Sequence, residues 1–147
     1  MAMTGSDAKS ALRRHYRQLR REALSASPDA ATAIARAAAA PLAAWLPSGS
    51  HLGLYWPIQQ EPDLRELAQL LPERHNTPLA LPAIEADQLL YRPWTPATAL
   101  LPDACGIPAP IGHSALAPEQ MGLLLAPALA FDQHGIRLGY GGGWFDR

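Results

Sequence analysis

Apolar positions recur at three- and four-residue steps near the start of the chain. Ala8, Leu12, Tyr16, Leu19 and Ala23 fall on one side of a helix that the pattern runs from Asp7 to about Leu24, with Ser6 as the expected N-cap. Lys9, Arg13, Arg17 and the Arg20/Arg21 pair repeat at the same period and define a second, basic stripe. The expected helix therefore packs with one face and presents cations with the other. Ser27-Pro28 predicts a second helix, capped by Ser27, with Pro28 at its first position. That helix is nearly all alanine, carries Ile34 and Leu42, and runs to Trp45, where Pro47 and Gly49 end it.

Shorter apolar segments follow. His51 to Tyr55 reads as a strand that Trp56-Pro57 terminates. Glu61 to His75 reads as a helix with Leu64, Leu67, Leu70 and Leu71 on its apolar side. Pro78 to Ile84 is a second expected strand and Leu89 to Trp94 a third, while Thr95 to Pro118 reads as proline-rich loop. Gly122 to Ala130 is a continuous apolar run, which suits a strand covered on both faces in a parallel sheet. Helix and strand alternate, so an α/β layered fold is expected. No internal repeat is present.

Composition narrows the function classes. A chain of 147 residues suits one domain, and 48% hydrophobic against 17% charged residues supports a real core. A net charge of −1 disfavours a globally basic nucleic-acid binder and a strongly acidic chain. The single cysteine, Cys105, excludes an internal disulfide framework and a cysteine-rich zinc module, and it suits a reducing compartment. No apolar run reaches the roughly 18–20 residues of a membrane span. The arginine- and alanine-rich start has something of a transit peptide's composition. His15, His51, His75, His113 and His134 show no metal-ligand spacing.

Three clusters could carry chemistry. In the last, an apolar strand runs into Asp132-Gln-His-Gly-Ile-Arg137-Leu138-Gly139-Tyr140-Gly141-Gly142-Gly143-Trp144-Phe145-Asp146-Arg147 and toward a helix start. Glycines let a backbone approach a polyanion and aim N–H groups at it. Arg137 can offset phosphate charge, and Asp146 can hold Mg²⁺. The spacing matches neither the Gly-x-x-x-x-Gly-Lys phosphate loop nor the dinucleotide Gly-x-Gly-x-x-Gly pattern. Two readings stand at this point, a nucleotide-phosphate site and a flexible glycine-rich tail. In the second cluster, Tyr55-Trp56-Pro-Ile-Gln-Gln-Glu61-Pro-Asp63, Trp56 can stack on a flat heterocycle and Glu61 can accept hydrogen bonds from its edge. The alternative is a packed tryptophan and a glutamate in the first turn of a helix. The third cluster is the basic stripe, read as an anion-binding face, an organelle-targeting signal or a solvated one.

Taken together, the clusters resemble the 5-formyltetrahydrofolate cyclo-ligase (methenyltetrahydrofolate synthetase) family over nearly the whole chain. Lys9-x-x-Leu12-Arg13 is similar to its first helix, Tyr55 to Asp63 to its folate segment, and Leu81-Pro82 and Gly106-Ile-Pro-x-Pro110 to its middle landmarks. Pro127-x-Leu-Ala-Phe-Asp132-x-x-Gly135-x-Arg137-Leu-Gly139-x-Gly141-x-Gly143-x-x-Asp146-Arg147 resembles its signature. The resemblance implies a three-layer α/β/α sandwich with a largely parallel central sheet. It implies ATP- and Mg²⁺-dependent closure of 5-formyltetrahydrofolate to 5,10-methenyltetrahydrofolate, with release of ADP and phosphate. Lys9, Arg13, Arg137, Leu138, Gly139, Tyr140, Gly141, Gly142, Gly143, Trp144 and Phe145 would then bind ATP, with Arg137 catalytic. Trp56, Glu61, Tyr140 and Trp144 would hold the folate, and Asp146 the metal. The basic helix needs no targeting role on this reading. The enzyme is expected to be a cytoplasmic monomer acting on small molecules, without nucleic-acid or membrane partners. Members of the family continue past the Asp-Arg pair, so residues 1–147 are expected to form one such domain lacking the family's C-terminal portion. Two other readings are a catalytically impaired folate- and nucleotide-binding remnant, and an RNA-binding module, which the near-neutral charge disfavours.

Overall fold

The computed structural model describes residues 4–71 and 77–146, with the backbone alone at Asp146. In chain order its elements are α1 (Gly5–Ala26), α2 (Ala30–Trp45), β1 (His51–Gly53), α3 (Leu67–Leu70), β2 (Leu79–Glu85), β3 (Gln88–Trp94), β4 (Leu100–Pro102), β5 (Pro108–Pro110), β6 (Met121–Leu124), β7 (Ala130–Phe131) and β8 (Arg137–Leu138). Single 3-10 turns cover Pro118–Gln120 and Trp144–Asp146. The chain divides into two compact units, Met1–Pro28 with Pro127–Arg147, and Asp29–Ala126.

The larger unit is built on a four-stranded sheet in the order β3-β2-β1-β6. β1 runs parallel to β2 and to β6, and the β2–β3 pair is antiparallel. Leu52 pairs with Leu79 on one side and Leu123 on the other. Because side chains alternate along a strand, Leu52, Leu54, Leu79 and Leu81 share one face. Ala35 and Leu42 of α2, and Leu67 and Leu71 at α3, bury that face and form the core with Trp94. The class is the α/β one expected, with a mostly parallel central sheet and flanking helices.

Close approach explains a glycine in β1. A Cβ on Gly53 would lie 2.5 Å from Leu124 Cδ2 and 2.9 Å from Tyr91 Cε1. The Tyr91 ring is buried and cannot retreat freely. Gly53→Ala is expected to cost about 1–3 kcal/mol through overpacking, read as a lower urea midpoint at unchanged slope.

Several boundaries differ from the sequence reading. β2 and β3 form a hairpin whose two loop residues, Ala86 and Asp87, both have left-handed φ angles of 46° and 59°. A type I′ turn requires this backbone, yet its usual Asn-Gly or Asp-Gly signature is missing. The stretch read as loop from Thr95 to Pro118 contains the β4–β5 ribbon. Asp103 closes its turn by accepting from the N–H groups of Cys105 at 2.9 Å and Ile107 at 3.0 Å, and it also accepts from Ile84 N–H at 2.9 Å. The apolar run from Gly122 to Ala130 is not one strand. β6 stops at Leu124, which is half exposed at the sheet edge, and the chain re-enters a ladder only at β7. The helix expected from Glu61 to His75 shrinks to α3, with His75 outside the described residues.

In the smaller unit, Thr4 rather than Ser6 caps α1. Its hydroxyl accepts from Asp7 N–H, and the Asp7 carboxylate accepts from Thr4 N–H at 3.2 Å, a reciprocal capping box. Ser27 is the C-cap of α1, and α2 begins after Asp29, two residues later than Pro28 would start it. No helix among the described residues is long and apolar enough to cross a membrane.

Candidate active site

The glycine-rich segment is delivered by a hairpin. β7 and β8 pair antiparallel, and Asp132 closes the turn between them by accepting from His134 N–H at 2.8 Å and Ile136 N–H at 2.9 Å. Gly135 supplies the left-handed residue at φ 78°. The chain leaves β8 directly into Gly139–Gly143 and then the 3-10 turn of Trp144, Phe145 and Asp146. Arg137 lies exposed on β8 opposite Phe131, and Leu138 beside it is half buried. The helix start expected after the glycines is this single turn within the described residues.

The basic side of α1 meets that segment. Arg13 Nε donates to Gly139 O at 3.0 Å, and Arg20 Nη1 donates to the Tyr140 hydroxyl at 2.6 Å. The guanidinium carbons of Arg17 and Arg20 stand 5.9 and 5.5 Å from the centre of the Tyr140 ring. Gly141 adopts φ 104°, and a Cβ there would sit 3.6 Å from Arg13 Cζ. Among the described residues Arg17 Nε is buried and makes no hydrogen bond. Three cations on successive turns of one helix thus converge on a glycine-rich backbone, an arrangement suited to a polyphosphate.

This reverses one expectation. On α1 the half-buried positions are Arg13, Tyr16, Arg17, Arg20 and Leu24, while Ala8, Leu12, Leu19 and Ala23 are exposed. The stripe expected to pack is largely the open one. Arginines can be the packing face because their stems are apolar and Tyr140 offers both a ring and an acceptor. Lys9 is exposed on α1, one turn before Arg13. Arg17 and Arg20 are the pair that reasoning from motif alone passes over. Their shared period with Arg13 was the available signal.

In the larger unit, the chain leaving β1 folds into a tight loop from Tyr55 to Arg65. The Tyr55 hydroxyl donates to Pro62 O at 2.8 Å. Glu61 is buried, and its Oε2 accepts from Ile58 N–H at 2.9 Å. Its own N–H donates to Ile58 O at 2.9 Å. Between them Gln59 and Gln60 take left-handed φ angles of 48° and 63°, a conformation that costs side-chain-bearing residues energy and is held by the Glu61 clasp. Glu61 is therefore not in the first turn of a helix, the alternative its sequence position suggested.

Trp56 is half buried and has a cation on one face. Arg65 Cζ stands 4.1 Å from the indole centre, and Arg65 is locked by Asp63 through two bonds of 2.8 and 2.6 Å. Asp63 also accepts from Arg65 N–H at 3.0 Å, which turns the chain toward α3. The bond from the Arg65 side chain holds the Asp63 carboxyl below its usual pKa, against the opposing effect of burial. A lowered acid pKa means that the pair contributes above the ordinary aspartate range and is lost as pH falls through the lowered value. The difference in tryptophan fluorescence between the wild type and Asp63→Asn is expected to be constant at neutral pH and to collapse only when the pH falls below the ordinary aspartate range. A difference independent of pH would show that the pair does not control the environment of Trp56. Both Asp63 and Arg65 were missed as site residues, although an acid two positions from an arginine was visible.

No group of three or more His, Cys, Asp or Glu side chains among the described residues is arranged to hold a metal ion. The Asp146 side chain, the expected Mg²⁺ ligand, lies outside what is described, as does Arg147. Cys105 is exposed in the β4–β5 turn.

The family model for 5-formyltetrahydrofolate cyclo-ligases matches residues 5–147. The chain belongs to the 5-formyltetrahydrofolate cyclo-ligase family. Among solved structures it is similar to the 5,10-methenyltetrahydrofolate synthetase of Aquifex aeolicus, at 27% identity and a TM-score of 0.72, covering 95% of this chain and 70% of that one. It also shares its fold with the 5,10-methenyltetrahydrofolate synthetase of Mycoplasma pneumoniae, at 21% identity and a TM-score of 0.66, covering 95% of this chain and 75% of that one. A search of curated proteins found no significant match. As a cyclo-ligase family member the chain is assigned to an enzyme family, and the resemblance drawn from its motifs is the family that the comparison returns.

Proposed function

We propose that this cyclo-ligase family member converts 5-formyltetrahydrofolate to 5,10-methenyltetrahydrofolate, using ATP and releasing ADP and phosphate. The observation that carries the reading is the convergence of Arg13, Arg17 and Arg20 on Gly139 and Tyr140. A formyl amide oxygen is a weak nucleophile and the triphosphate is strongly anionic. Transfer between them depends on positioning and charge neutralisation more than on covalent help from the protein. In the proposed sequence the formyl oxygen attacks the terminal phosphorus and ADP leaves. The second folate nitrogen then adds to the activated carbon and loses its proton. That addition closes the five-membered ring, and the carbon–oxygen bond then breaks as phosphate departs.

The α1 arginines, Lys9 and Arg137 would neutralise the phosphates, with the backbone of Leu138 to Phe145 lining their site. Trp56 would stack on the pterin, and Glu61 would present a carboxylate to its edge. Mg²⁺ would accompany ATP and neutralise further charge, with Asp146 as its ligand. The described residues assemble no carboxylate cluster for it, so no step here passes through the metal. The cytoplasm is the proposed location, since a reducing compartment suits the free thiol of Cys105.

The test is the appearance of methenyl product by absorbance when the chain is mixed with 5-formyltetrahydrofolate, ATP and Mg²⁺. Product is expected only with ATP, and one ADP should form per product. Binding of both ligands by calorimetry without product would instead identify a binding remnant.

A further inference from the structure

Three arginines of the basic stripe, Arg13, Arg17 and Arg20, find partners on two consecutive loop residues. Gly139 takes Arg13 through its carbonyl, and Tyr140 takes Arg20 through its hydroxyl at 2.6 Å. Arg17 and Arg20 both lie within the roughly 6 Å at which a cation is attracted to an aromatic face. Like charges at helical spacings of three and four repel. Something must hold three guanidinium groups together before any anion arrives. The Tyr140 ring is placed to do so for two of them, and its main chain is tied through the neighbouring Gly139 to the third.

We propose that Tyr140 is a positioning residue. It gathers Arg17 and Arg20 at the glycine-rich segment, so that the cationic site is assembled in the unliganded protein. Tyr140 then acts through the arginines and not by touching folate, which departs from the cleft-lining role its motif position suggested. The proposal rests on the phosphate-binding reading above for its consequence in turnover, but not for the contact itself.

Two variants and two readouts test it. Tyr140→Phe keeps the ring and loses the acceptor for Arg20, and KM for ATP should rise about threefold. Tyr140→Leu loses both, and KM for ATP should rise about tenfold or more. In each variant kcat at saturating ATP should fall less than KM rises, and KM for the folate should stay unchanged. Independently, the Arg17 and Arg20 Nε–H resonances of the unliganded protein should be shifted by the ring in the wild type and in Tyr140→Phe, and should lose that shift in Tyr140→Leu. If KM for the folate rises while KM for ATP does not, the proposal is overturned. The same holds if the arginine resonances are identical in wild type and Tyr140→Leu. If the resonances behave as expected and no variant nor the wild type turns over ATP, the positioning role stands and the functional reading fails.

Discussion

Replacing Arg13 by alanine is expected to lower kcat/KM for ATP by about 10²–10³-fold, the size seen when one preorganised donor to a charged transition state is removed. Two effects add. The guanidinium no longer neutralises the polyphosphate, and Gly139 O loses the 3.0 Å bond that ties the glycine-rich segment to α1. Global stability should change little, by about 1 kcal/mol or less, because Arg13 is half exposed on a helix whose residues are nowhere fully buried. Arg13→Lys restores the charge but not the planar fork, so only part of the loss should return. Steady-state kinetics with a parallel urea denaturation series checks this. Equal losses of turnover and stability would make Arg13 a structural residue.

Glu61→Ala is expected to act on stability and on folate together. Glu61 is 7% exposed, and its carboxylate accepts the Ile58 N–H. Truncation leaves that donor without its partner and removes the clasp over Gln59 and Gln60, whose left-handed backbone then has less to hold it. Loss of a buried acceptor together with packing predicts a destabilisation of about 2–3 kcal/mol. KM for 5-formyltetrahydrofolate should rise about tenfold or more, with KM for ATP much less affected. Glu61→Gln keeps an acceptor for Ile58, so it should recover most of the stability while KM for the folate stays raised. If Glu61→Gln restored folate KM as well, the carboxylate charge would have no part in binding.

The α/β class was readable because leucines and alanines alternate with turn residues in blocks of the right length. The glycine-rich segment was readable because five residues between Leu138 and Trp144 include four glycines. The face of α1 was not. Leu12 and Leu19 look like core by hydropathy, yet Leu12 is 47% and Leu19 43% exposed, while Arg17 and Arg20 are partly covered. Periodicity identifies stripes but does not say which stripe a long-range partner selects. Here the partner is Tyr140, 120 residues from Arg20. The loop after β1 was misread for a related reason. Helical spacing of leucines extended the expected helix back to Glu61, but the Glu61 and Asp63 side chains bond to nearby backbone N–H groups and favour a turn there. The β2–β3 hairpin hid because Ala86 and Asp87 adopt a turn usually marked by glycine.

The central claim is that the polyphosphate of ATP meets the segment from Gly139 to Gly143. Titrating ATP into isotopically labelled protein and following backbone amide and arginine Nε–H resonances tests it directly. The account predicts that the largest saturable shifts fall on Gly139–Gly143 and on Arg13, Arg17 and Arg20, and that inorganic triphosphate reproduces them. Saturable shifts confined to other parts of the chain, or none at these residues, would contradict it.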